Sequence, residues 1–177
     1  MRFFVEILAH LVLFLNITVM TYAGIKLVQK FFSTPVDDYV EAFESFIDSR
    51  YRELALLTAL VSTSGSLFLS QVMGWTPCDL CWYQRIFMYP LVVIFASSLF
   101  FNNKNVSDYA IPMTVIGAGI SIYHYFVQVM SEIQSGCAPG GVDCSTTHTF
   151  YFDYMSIPIM ALTGFVIIFI LSYRNWD

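Results

Sequence analysis

Charge is what this chain has least of. Only 12% of its 177 residues are Asp, Glu, Lys or Arg, against about a quarter in an ordinary soluble domain. Five stretches, Ile7–Ile25, Leu54–Met73, Trp82–Phe101, Tyr109–Ser131 and Tyr154–Tyr173, contain no Asp, Glu or Lys at all. So little charge cannot solvate a globular surface in water, and 57% hydrophobic residues with a mean hydropathy of +0.65 make lipid the main solvent. Basic residues are scarcer than acidic ones, eight against thirteen, for a net charge of −5, which excludes the basic patch that nucleic-acid binding needs. Internal repeats and low-complexity segments are missing, which excludes solenoid architectures. Cysteine is confined to two close pairs, Cys78/Cys81 and Cys137/Cys144, leaving no spare thiol.

A helix needs about 20 mainly apolar residues to cross a hydrocarbon core roughly 30 Å thick, and all five stretches qualify. Inside lipid each backbone N–H and C=O must be satisfied within the segment, so long runs without strand-like alternation are helices rather than barrel strands. The expected fold class is an all-α integral membrane protein: one compact unit with short loops and no room for a second folded domain. The first run follows Arg2 and Glu6 and is longer than the roughly 7–15-residue core of a secretory signal, so it reads as an uncleaved helix. The stretch Lys30–Glu53 mixes Asp37, Asp38, Glu41, Glu44 and Asp48 with Arg50 and Arg52, and Val40, Phe43, Phe46 and Ile47 recur at helical spacing, which predicts an amphipathic surface helix. The expected organisation is an N-terminal apolar helix over 1–29, a connector over 30–53 and a core over 54–177.

Two crossings separate the Cys78/Cys81 connection from the Cys137/Cys144 loop, so both pairs fall on one side of the membrane and can meet. Neither connection holds Lys or Arg, whereas Lys26, Lys30, Arg50, Arg52, Lys104 and Arg174 border the opposite side, which the positive-inside rule makes cytoplasmic. Both dithiols then face the extracytoplasmic, oxidising compartment, where disulfides form and persist. Two potential disulfides in reach of each other can pass electrons between them.

Cys78-Asp79-Leu80-Cys81 ends one apolar run and opens the next. A Cys-x-x-Cys at a helix start puts sulfur near partial positive charge, which is expected to lower thiol pKa and raise the reactive thiolate fraction. Arg85 lies four residues beyond Cys81, on the same helical face, where an always-charged guanidinium suits a Cys81 thiolate and an electronegative carbonyl of a lipid-soluble acceptor. The plainer reading is an arginine snorkelling to the headgroups. His124 and Gln128 share a face within an apolar run and suit a polar niche at the depth of Arg85. The plainer reading of His124 is a hydrogen-bonded packing residue. His10 and His148 read as a structural residue and a solvated loop residue.

The run Gly74-Trp75-Thr76-Pro77-Cys78-Asp79-Leu80-Cys81-Trp82-Tyr83-Gln84-Arg85-Ile86-Phe87-Met88-Tyr89-Pro90-Leu91, with Tyr123-His124 upstream of Cys137 and Ser156-Ile157-Pro158 entering the last run, resembles the DsbB/BdbC family of membrane thiol:quinone oxidoreductases. The likeness covers about Leu54 to Tyr173. It implies a four-helix transmembrane bundle of DsbB type, to which the N-terminal apolar helix is additional. It further implies a ubiquinone or menaquinone acceptor in the bacterial cytoplasmic membrane, and a DsbA-like thioredoxin-fold thiol oxidase as electron donor. By resemblance Cys137 takes the mixed disulfide with the partner, Cys144 resolves it towards Cys78, Cys81 faces the quinone, and Arg85 and His124 border the quinone site. The redox-active disulfides implied are Cys78–Cys81 and Cys137–Cys144.

The outer cysteines enclose only Ala138–Asp143, with Pro139-Gly140-Gly141 forming a tight turn, which resembles the short-loop branch. The N-terminal run and acidic connector have no counterpart in the four-helix pattern. Vitamin K epoxide reductase relatives also couple loop cysteines to a membrane Cys-x-x-Cys, but with the loop pair first in the chain. A four-cysteine zinc site is a known ligand pattern, yet a site beside an intramembrane arginine suits a cation poorly, so no resident metal is expected. A non-catalytic scaffold stapled by disulfides predicts bonds resistant to cellular redox couples, whereas catalysis predicts labile ones.

Overall fold

The computed structural model describes residues 2–29, 37–130 and 156–176, and the regular structure among them is entirely helical. α1 spans Arg2–Gln29, α2 Asp37–Ser49, α3 Tyr51–Leu67, α4 Asp79–Phe100, α5 Ser107–Val129 and α6 Ile157–Arg174. α3 continues into one wider π turn, Phe68–Val72. Five segments are long and apolar enough to cross a bilayer: Ala9–Leu27, Tyr51–Val72, Asp79–Phe100, Ser107–Val129 and Ile157–Arg174. The protein is therefore an all-α membrane bundle with an additional N-terminal apolar helix, as expected from its charge-free runs.

The chain divides into two compact units, Met1–Arg50 and Tyr51–Asp177. In the first, Glu44 of α2 forms an ion pair with Lys26 of α1 and accepts a hydrogen bond from Tyr22 Oη at 2.6 Å. Phe43 and Phe46 of α2 are exposed.

In the second unit each helix packs on its neighbours in a ring, α3 on α4, α4 on α5, α5 on α6 and α6 back on α3, with α4 and α6 on a diagonal. Water exclusion cannot drive this packing in lipid, so close approach and dispersion must, and small residues sit where helices touch. Ala55, Ala59, Ala110 and Ser121 are fully buried, and Phe95, Leu91, Phe165 and Ile168 fill the spaces between them. Two of the buried hydroxyls turn back on their own helix, Thr114 Oγ1 donating to Ala110 O at 2.9 Å and Ser121 Oγ to Gly117 O at 2.9 Å, so these two need no partner from water. The outer surface is the reverse of a soluble protein's, with Phe100, Val93 and Ile86 among its exposed side chains.

The two ends of the bundle differ. At one, Arg52 holds the α4–α5 turn, with Nη1 donating to Ser98 O at 3.2 Å and Nη2 to Asn102 Oδ1 at 3.2 Å; Asn102 takes a positive φ of 50° there. Tyr51 Oη donates to Lys104 O at 3.1 Å, and Trp176 Nε1 to Asp108 Oδ1 at 2.7 Å. At the other end the π turn leads through Gly74, at φ 68°, into an extended segment that stops at Cys78. α5 ends and α6 begins at this same end, so the segment carrying Cys137 and Cys144 leaves and rejoins the bundle there.

Gly117 faces the buried Phe165 ring so closely that a Cβ would overlap it, whereas Gly119 has nothing within 4 Å. Gly117→Ala is expected to destabilise the bundle by about 1–3 kcal/mol through overpacking. Gly119→Ala is expected to be neutral or to stabilise by up to about 1 kcal/mol through helix propensity. Thermal unfolding of the two variants in detergent micelles checks this; equal midpoints would remove the α5–α6 contact from the account of stability.

Candidate active site

Cys78 occupies the N-cap of α4, with extended backbone at φ −74° and ψ 172°. The helix that follows brings Cys81 round by almost one turn, and the two sulfurs lie 3.3 Å apart as a hydrogen-bonded dithiol, well beyond the roughly 2.05 Å of a disulfide. Cys78 is buried and Cys81 half-buried, packed against Leu80, Val127 and Ile120. Because α5 runs antiparallel to α4, it returns His124 to the same end: His124 Nε2 lies 3.6 Å from Cys78 Sγ, and the ring is 1% exposed.

The other ring nitrogen is held by a residue the sequence reading passed over. Gln84 is buried, and its Nε2 lies 3.3 Å from His124 Nδ1. With Nδ1 accepting from the amide, the ring proton sits on Nε2 and points at Cys78, while Cys78 donates to Cys81. Every donor in this chain, Gln84 to His124 to Cys78 to Cys81, is directed at the Cys81 sulfur, so negative charge is best accommodated there.

The expectation that the helix start lowers the thiol pKa fails for Cys78. Its pKa is pushed up to about 12, first by its hydrogen bond to Cys81 and next by burial, with His124 pulling the other way. A thiol that donates to a neighbouring sulfur has its proton held by that bond.

Arg85 is buried among the helices. Nε donates to Ser66 Oγ at 3.0 Å and Nη2 to Ser66 O at 3.0 Å, Tyr89 Oη approaches the same hydroxyl at 3.5 Å, and the guanidinium lies 5.1 Å over the Trp82 ring. Its orientation is thus fixed from α3, whose helix widens into the π turn two residues later, a distortion common at functional sites. Gln128 Oε1 is buried with no hydrogen-bond partner among the described residues. Cys137, Cys144 and His148 lie outside the described residues.

Gln84 and Ser66 were the residues missed. Gln84 follows Cys81 at i+3 and was readable as a polar group on the dithiol's face. Ser66 lies in a serine- and threonine-rich stretch of α3 with nothing in its spacing to pair it with Arg85.

A buried dithiol closed by an imidazole, with a tethered cation on the same helix, defines a membrane-embedded thiol–disulfide protein. A family model described as disulfide bond formation protein DsbB matches residues 49–173. The chain is 40% identical over 127 residues to a probable disulfide formation protein C of Bacillus cereus, covering 69% of this chain and 91% of the relative. It is 45% identical over 123 residues to a probable disulfide formation protein of Oceanobacillus iheyensis, covering 67% and 83%, and 43% identical over 116 residues to disulfide bond formation protein C of Bacillus subtilis, covering 64% and 83%. No solved structure matches. This chain belongs to the DsbB family of disulfide bond formation proteins, as the Cys-x-x-Cys run implied.

At neutral pH a thiol of pKa about 12 is ionised in only about one molecule in 10⁵. Maleimide labelling of the reduced protein, read by mass spectrometry after proteolysis, is expected to modify Cys81 well before Cys78. Equal rates at both cysteines would contradict the direction of the hydrogen-bond chain.

Proposed function

We propose that this protein is a membrane thiol:quinone oxidoreductase that reoxidises a DsbA-like thioredoxin-fold thiol oxidase and passes the electrons to a membrane quinone, ubiquinone or menaquinone. The observation that carries the reading is the Cys78/Cys81 dithiol with its donor chain aimed at Cys81, on the helix that also holds the buried Arg85.

The path is a series of exchanges. A partner thiolate attacks Cys137, breaking Cys137–Cys144 and freeing the Cys144 thiolate. Cys144 attacks Cys78, breaking Cys78–Cys81 and leaving the charge on Cys81. The partner's second thiolate displaces Cys137, which recaptures Cys144 and releases Cys78. The partner is now a disulfide and Cys78/Cys81 a dithiol.

A quinone bound here would supply a sink for the two electrons and two protons released when Cys78–Cys81 re-forms. Residues of this chain suit such a group. The Arg85 bonds to Ser66 use Nε and Nη2, leaving Nη1 outside them, and Gln128 Oε1 is a buried acceptor one helical turn from His124. Arg85 attracts developing negative charge. Gln84 keeps the imidazole facing the sulfur, so that His124 Nε2–H steadies negative charge on Cys78 as the thiol proton is lost.

The protein is proposed to lie in the bacterial cytoplasmic membrane with both cysteine pairs extracytoplasmic. Arg52, Lys104 and Arg174, at the bundle end opposite the dithiol, support this orientation.

Purified protein in detergent, given a reduced thioredoxin-fold donor and added quinone, should reduce the quinone. Cys78→Ser and Cys81→Ser should each abolish that while remaining folded, since helix packing rather than a disulfide holds the bundle; turnover in either variant would sink the electron path. In Cys144→Ala, oxidised partner should accumulate as a mixed disulfide with Cys137 on a nonreducing gel, and its absence would reverse the assigned roles. Arg85→Leu should raise the apparent quinone KM about tenfold to a hundredfold, the worth of one charged hydrogen bond. Arg85→Lys should rescue only partly because an ammonium lacks the planar fork. Unchanged quinone kinetics in the leucine variant would take Arg85 out of the site.

A further inference from the structure

The head of α4 combines three soft donors. Cys78 Sγ, Cys81 Sγ and a ring nitrogen of His124 all lie within 4.8 Å of one another, with a sulfur–sulfur edge of 3.3 Å and a sulfur–nitrogen edge of 3.6 Å at Cys78. Around a tetrahedral zinc-like ion, bonds of about 2.3 Å to sulfur and about 2.0–2.1 Å to nitrogen give ligand–ligand edges of roughly 3.5–3.8 Å. The two edges at Cys78 are therefore close to those of a coordinated ion, and the third closes by rotation of the half-buried Cys81 side chain.

The surroundings reinforce the match. His124 presents Nε2 to the dithiol while the Gln84 amide lies against Nδ1; on ligation the ring proton moves to Nδ1, and the Gln84 amide, turned over to present its oxygen, accepts it and orients the imidazole. Arg85, the cation that opposed a metal when the sequence alone was considered, has Nε and Nη2 turned to Ser66 on α3. Two thiolates neutralise a divalent ion, which suits a site at the edge of an apolar bundle.

We propose that Cys78, Cys81 and His124, when the cysteines are reduced, form a three-ligand site for a thiophilic divalent d¹⁰ ion, with zinc as the biological occupant and a fourth position open. Binding displaces the proton from each thiol that still carries one, and each sulfur donates a lone pair to the ion, with no change in oxidation state. Oxidation removes the site, because a Cys78–Cys81 disulfide leaves His124 as the only strong donor. A bound ion occupies both sulfurs, so it holds the pair reduced and blocks exchange. The inference rests on the proposed function only in taking Cys78 and Cys81 as a pair that alternates between dithiol and disulfide; neither quinone nor partner enters it.

The test uses the full chain in detergent with Cys137→Ser and Cys144→Ser, so that the outer pair cannot bind metal, and Cd²⁺ as probe. The reduced protein should take up one equivalent with an ultraviolet sulfur-to-cadmium charge-transfer band, Zn²⁺ should displace it, and the disulfide form should show no band. His124→Ala should weaken binding by more than about 100-fold, and Gln84→Ala by about 10–100-fold as an orienting residue. His124→Cys should restore one-to-one binding with a stronger band, which separates loss of a ligand from loss of the fold. No stoichiometric binding by the reduced protein, or an affinity indifferent to His124→Ala, overturns the proposal. Because this readout needs no turnover, it stands apart from the quinone assay: metal binding without quinone reduction defeats only the proposed function, and the converse defeats only this inference.

Discussion

A guanidinium cannot be left bare inside an apolar bundle, and the arrangement around the dithiol follows from that constraint. Arg85 needs acceptors at the depth where α4 carries it, and Ser66 supplies two, its hydroxyl and its carbonyl. Meeting that demand fixes the rotation of α3 against α4 and places the Trp82 ring under the cation. Once α4 is fixed in rotation, its first turn has one orientation left, so Cys78, Cys81 and Gln84 face α5 together and His124 closes on them.

Division of labour along the bundle axis is equally plain. The Arg52 end holds a tight turn through backbone carbonyls and an asparagine, all ordinary surface chemistry. The dithiol end has an extended entry into α4, a buried imidazole and a buried amide acceptor without a partner among the described residues. Small residues between the helices, Gly117 against Phe165 in particular, keep the two ends in fixed relation.

Much of this was readable in the chain itself. Runs free of Asp, Glu and Lys announced the helices because lipid tolerates nothing else at that length, and the Cys78–Arg85 run announced the family because so many chemically demanding residues rarely fall together. Within one helix, spacing also reported neighbours, since Cys81 follows Cys78 by i+3. Contacts across helices were not readable. Whether Arg85 turns to Cys81 or to Ser66 depends on a rotation of α3 and α4 about their axes that no local pattern encodes, and the π turn that accompanies it leaves no mark in an apolar sequence. The Cys78 thiol shows the same limit: its position at a helix start argued for a low pKa, while its proton is held by a partner and a burial that appear only when the helices are assembled.

α4 and α5 are the two arms of a hairpin closed by a turn of a few residues, and the groups that surround the dithiol, from Ser66 to His124, all precede α6 in the chain. The order of synthesis therefore separates chemistry from closure. Three helices carry the whole donor chain from Gln84 to Cys81 into the bilayer first, and the last helix, bringing Phe165 to Gly117, then closes the ring around parts that are already threaded across the membrane.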